Sequence, residues 1–160
     1  MSELFEAGVD TEELAEYVAT HKRFLFFSRP ASMKPLAKVW RLGELLLDTE
    51  ANLWSVGRTT RAAPRGRLGY QSLSLEDRRD IAAAALRGGY AAGTTVNFDA
   101  EQLPLSLEAL EQLDESSPLG VLNSEVRVRW RNGAPLEDSP TLANYLSERI
   151  DLLRNRLKSS

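Results

Sequence analysis

Arg58, Arg61, Arg65 and Arg67 fall within ten positions, and no acidic residue stands between Glu50 and Glu76. A guanidinium group is a permanently charged, planar fork of N–H donors that matches carboxylate and phosphate oxygens. The same run leads into Ser74-Leu75-Glu76-Asp77, which has the form of a helix N-terminal cap. Unpaired N–H groups at a helix start also favour anions, so the chemistry suggested is the holding of a small anion. The candidate ligand-binding residues are Arg58, Arg61, Arg65, Arg67, Tyr70 and Ser74, with Gly57, Gly66 and Gly69 shaping the approach. The competing reading is a solvated loop whose arginines hold helix C-termini or acids elsewhere in the chain.

Other constellations carry less. Arg127, Arg129 and Arg131 alternate with Val126, Val128 and Trp130. Such a stripe is the wet face of a sheet, or a set of charges that keeps an edge strand from pairing. His21 is the single histidine and lies on an apolar helical stripe, as a packed imidazole would. Without cysteine, and with one histidine, the chain offers no thiolate or imidazole metal set, and no cofactor is expected. Neither Ser-x-x-Lys nor Gly-x-Ser-x-Gly is present. Asp99 and Glu101 remain as a carboxylate pair following a strand, available to a hydrolase reading with Tyr70 or Ser72 as a polar participant. The run 88–93 is glycine-rich but follows a helix, the wrong context for a phosphate loop.

The elements that must position these groups are legible as follows. Asp10-Thr11-Glu12-Glu13 resembles a capping box, and Leu14, Tyr17, Val18 and His21 repeat at helical spacing, predicting a short helix over 11–21. An aromatic strand over 23–28 and a proline-bearing loop over 29–37 follow. Strands are expected over 38–47 and 53–61, joined by the turn-rich connector 48–52. A helix over 75–87, alanine-rich at 82–85, is closed by Gly88-Gly89. A strand over 94–98, an acidic helix over 106–115 capped by Ser106, and a strand over 125–131 come next. Asn132-Gly133 marks a tight turn. Ser139-Pro140 starts a last helix with the stripe Leu142, Leu146, Ile150, Leu153 and Leu157. Strands and helices do not alternate strictly. The fold class is therefore α+β: one domain over 1–160, with about five strands in an antiparallel or mixed sheet packed by three to four helices, and residues 1–9 as a flexible N-terminus.

Composition sets the outer limits. The chain has 160 residues, 42% of them hydrophobic and 27% charged, with a net charge of −3, as for an ordinary globular protein. That net value conceals segregation: residues 1–16 hold six acids and no base, and no base lies between Arg87 and Arg127. Blocks of one sign steer partners, and they also permit pairing between copies, so a homo-oligomer is a third reading. Nucleic acid is disfavoured, because the acidic blocks would repel a polyanion. The acidic start lacks the order of a signal peptide and no apolar run is long enough for a bilayer, so the expected compartment is the cytoplasm, without membrane partners.

Several stretches together resemble a family of small uncharacterised bacterial proteins, some carrying an automatic "glutaminase" label. They are Val39-Trp40-Arg41-Leu42-Gly43, Gly57 with Thr60-Arg61, Ala85-Leu86-Arg87-Gly88-Gly89-Tyr90, Val96-Asn97-Phe98-Asp99 and Tyr145-Leu146-Ser147-Glu148-Arg149-Ile150. The resemblance implies a self-standing domain and no established catalytic residues. Its label conflicts with a chain that lacks both Ser-x-x-Lys and cysteine. The functional expectation is a non-catalytic domain binding a small anion or an acidic protein surface through the arginine loop. The alternatives are a glutaminase-like amide hydrolase and a self-associating structural domain.

Overall fold

The computed structural model describes residues 2–23, 27–66 and 73–158. Its elements are α1 (Ser2–Glu6), β1 (Glu12–Val18), β2 (His21–Arg23), β3 (Phe27–Arg29), β4 (Ser32–Leu42), β5 (Leu45–Asp48), β6 (Leu53–Ser55) and β7 (Arg58–Arg61). They continue with α2 (Leu73–Arg87), β8 (Thr95–Phe98), α3 (Leu107–Leu110), β9 (Leu119–Leu122), β10 (Glu125–Val128) and α4 (Leu142–Lys158). Hydrogen bonding orders six strands as β6-β5-β4-β1-β8-β7. β1 and β8 run parallel, while β4–β5, β5–β6 and β7–β8 are antiparallel, so the sheet is mixed and the class is α+β. Two short ladders, β2–β3 and β9–β10, stand apart.

The chain forms two compact units from interleaved segments. The first comprises Met1–Thr11, Val39–Val56 and Glu101–Ser160; the second comprises Glu12–Lys38 and Gly57–Ala100. In the second, α2 covers Val96 and Phe98 with Ile81, Ala84 and Ala85, and the small alanines let helix and strands approach closely. Gly88 ends α2 where a Cβ would overlap the Met33 carbonyl. Asn97 is fully buried and is satisfied across strands. Its Nδ2 donates to the Glu12 carboxylate at 2.8 Å and to the Glu13 carbonyl at 3.2 Å, and its oxygen accepts the Thr59 hydroxyl at 3.0 Å.

In the first unit, Trp40, Leu42, Leu45, Leu47 and Leu53 pack with Leu119, Val128 and Tyr145. Leu142, Leu146, Ile150 and Leu153 of α4 close over this core, as their spacing predicts. Leu4 of α1 is buried in the same cluster, and Trp40 Nε1 donates to the Val9 carbonyl at 3.0 Å. Asp48, only 3% exposed, ties the β5–β6 turn together. It accepts the backbone N–H groups of Glu50 and Asn52, the Asn52 amide and the Trp54 indole, all within 3.0 Å. Burial alone would raise its pKa, but these donors outweigh burial and hold it below the usual carboxylate value.

Several sequence expectations give way here. The helix over 11–21 is instead strand β1, running on to β2. Leu14 and Ala15 are adjacent and both buried, so β1 is apolar on both faces, and apolar residues at both parities imitate helical spacing. The loop over 29–37 is largely β4, with Pro35 exposed within it. The strand over 38–47 breaks at Gly43, whose φ of +68° starts a turn. The strand over 53–61 breaks before Gly57, where a Cβ would overlap the Phe98 and Asp99 carbonyls. The acidic helix shrinks to α3, and Ser106 precedes it without a side-chain capping bond. At the late hairpin, β9 comes before β10, and the tight turn is Asn123-Ser124, both at positive φ. β10 stops at Val128, so alternation fails beyond it: Trp130 is 61% exposed and Arg129 only 7%. Arg129 is no wet-face charge. Its Nε donates to Ala134 O at 3.0 Å and its Nη1 to Leu119 O at 2.8 Å and Ser117 O at 3.1 Å.

Candidate functional site

The arginine segment ahead of α2 meets carboxylates of its own unit. Arg58, at the start of β7, places Nη2 3.3 Å from Asp77 Oδ2 and Nη1 3.8 Å from Asp99 Oδ2. Its guanidinium lies 5.0 Å over the Phe98 ring. Arg65 forks onto Asp80, with Nε 2.5 Å from one oxygen and Nη2 3.2 Å from the other. Asp77 and Asp80 are three apart on α2, so one exposed helix face supplies the acids that the loop itself lacks. Arg61 is exposed and makes no ion pair among the described residues. Ser74 lies inside the first turn of α2, which begins at Leu73, so it does not occupy the capping position expected of it. Arg67 and Tyr70, with Gly69 and Ser72, lie outside the described residues. Of the hydrolase candidates, Asp99 faces Arg58, and Glu101 is exposed with its backbone N–H donating to Ser55 Oγ at 3.1 Å.

A second cationic site, which the sequence reading missed, lies in the other unit. Tyr145 is buried, and its hydroxyl donates to Leu42 O at 2.9 Å and accepts the Glu44 N–H at 2.9 Å. The Gly43 turn thereby docks on α4 so closely that a Cβ at Gly43 would overlap the Tyr145 hydroxyl. Between them opens a recess of about 290 Å³, lined by Arg41, Leu42, Gly43, Arg149, Leu152, Leu153 and Arg156. Three guanidinium groups line it, and among the described residues no acidic side chain does. Arg41 and Arg156 make further contacts within the protein.

Arg149 differs in kind. Its guanidinium stacks 5.0 Å over the Tyr145 ring, and its Nε is buried with no hydrogen-bond partner among the described residues. A buried donor left unmade costs about 1–3 kcal/mol, so its retention asks for an acceptor. Arg127 Nε is orphaned too, but the rest of that guanidinium is engaged by Glu125, Glu137 and Ser139. Sequence held one usable signal for the recess: Arg149, Leu152, Leu153 and Arg156 at i, i+3, i+4 and i+7 share one helix face.

A larger recess of about 390 Å³ in the other unit carries Arg29, Lys34 and Arg87. Lys34 pairs with Glu16 at 3.8 Å, and Arg87 Nε donates to Ala31 O at 2.6 Å. No group of three or more metal-ligating side chains occurs among the described residues. None of the helices described is long and apolar enough to cross a membrane. Compared with protein-family models, with curated proteins and with solved structures, the chain has no match.

Proposed function

We propose that the chain is a non-catalytic binding module for a small anionic ligand, whose acid group sits against Arg149 in the recess between the Gly43 turn and α4. The observation that carries this reading is a cavity lined by three guanidinium groups, one of which, Arg149, keeps a donor without a partner among the described residues. A bound carboxylate or phosphate oxygen would meet guanidinium N–H groups on that wall, and a charge-assisted contact supplies both affinity and orientation. An acidic side chain of a partner protein has the same chemistry, but a recess near 290 Å³ suits a small molecule better. The arginine segment ahead of α2 is the weaker seat, because Arg58 and Arg65 already face Asp77, Asp99 and Asp80. Amide hydrolysis and self-association gain no comparable support.

The test is thermal stabilisation by inorganic phosphate and by propionate, followed in the wild-type chain and in Arg149→Leu. A ligand that binds only the folded state raises the melting temperature with concentration. Loss of a charge-assisted contact worth about 1.5–3 kcal/mol should weaken binding roughly ten- to a hundredfold. Equal stabilisation of both proteins by both anions would overturn the reading.

A further inference from the structure

We infer that the ligand of this recess is an aliphatic monocarboxylic acid, its carboxylate on Arg149 and its hydrocarbon chain laid along Leu152; this rests on the binding reading above.

The lining divides by chemistry. Arg149 and Arg156 stand seven residues apart on α4, about 10 Å along the axis. Leu152 lies between them on the same face, and the opposite wall is Leu42 and the backbone of Gly43. Leu152 is 48% exposed although it lies beside this cavity, an apolar surface that a ligand chain would cover. A fully polar anion such as phosphate would satisfy Arg149 and leave that surface wet. Paired N–H groups of a guanidinium match the two oxygens of a planar carboxylate. The 290 Å³ of space admits a short chain.

A hydrocarbon chain contributes affinity in proportion to the methylenes it buries, about fourfold in Kd for each. Calorimetric titration of the full chain with propionate, butyrate, pentanoate and hexanoate should therefore show affinity rising about fourfold per methylene. Leu152→Ser should flatten that rise, and Arg149→Leu should weaken every member of the series together. Hexanamide, which keeps the chain and lacks the charge, should bind at least tenfold more weakly than hexanoate. Propionate and phosphate binding with no dependence on chain length would overturn this inference and leave the binding reading standing. The same slope in Leu152→Ser, or hexanamide binding as well as hexanoate, would also overturn it. Absence of binding by any anion would sink both. Sedimentation with anionic phospholipid vesicles, without response to the free acids, would reassign the recess to a membrane surface and overturn the inference.

Discussion

Arg58 and Arg65 come from a stretch without a single acid, yet both end on aspartates; Arg149 comes from a helix carrying Glu148 and Asp151, yet its Nε is left without an acceptor. In the first region the acids arrive from outside the run. Asp77 and Asp80 lie on the helix that follows, and Asp99 sits at the end of β8. In the second, Glu148 and Asp151 do not line the recess: Asp151 pairs with Arg154, which also reaches Glu3 at 2.9 Å. A run of one sign along the chain is thus not a patch of one sign in space. Conversely, a cationic recess assembles from Arg41 on a strand and Arg149 and Arg156 on a helix more than a hundred residues later, where no run exists.

Three fates of arginine in this molecule can be told apart by substitution. The largest effect belongs to the buried brace. Arg129→Ala should cost about 3 kcal/mol or more by denaturant unfolding, because two buried carbonyls and a partly buried one lose this donor together. A cost below about 1 kcal/mol would mean that water replaces the guanidinium and that Arg129 is no brace.

Tyr145→Phe comes next, at about 1–3 kcal/mol, since it strands the Leu42 carbonyl and the Glu44 N–H that hold the turn on α4. The same variant should weaken anion binding, because the wall of the recess is released. Unchanged affinity in a destabilised Tyr145→Phe would show that the turn does not shape the site.

Asp48→Asn gives a similar loss near neutral pH, about 1–3 kcal/mol, and it adds a pH signature. The folded-state pKa of Asp48 is depressed, so its contribution is present above the unfolded value of about 3.9 and is lost as pH falls through the folded value. The stability gap between wild type and variant should therefore close in acid; a gap constant from neutral pH to pH 3 would contradict the assignment. The smallest effects belong to the segment ahead of α2. Arg58→Ala and Arg65→Ala should each cost less than about 1 kcal/mol and fade with salt, because both arginine side chains are more than half exposed.

Where the chain advertises its structure, it does so through strong local signals. The alanine run of α2 with Gly88-Gly89, the leucine stripe of α4 and the Thr95–Phe98 strand appear within a residue or two of their expected places. The failures share one cause. β1 is apolar on both faces, and Leu119–Leu122 has a glycine in place of a polar alternation, so neither shows a period of two. The conformation of β1 is decided by pairing with β8, far away in the chain, which local pattern does not encode, and that of β9 by its hairpin neighbour β10. The candidate site failed in the same way. Pairing of Arg58 with Asp77 and of Arg65 with Asp80 spans 19 and 15 residues, and the contact that builds the recess, Tyr145 to Leu42, spans 103. Segments 39–43 and 145–150 meet at that contact.

The most direct measurement is nitrogen-edited NMR of the arginine Nε–H groups during titration with propionate, with each resonance assigned by substitution. The Arg149 Nε–H, without an acceptor among the described residues, should shift as the anion reaches its guanidinium, while Arg58 and Arg65 stay in place. Movement of Arg58, Arg61 or Arg65 with Arg149 unmoved would put the anion back at the segment ahead of α2 and contradict the account.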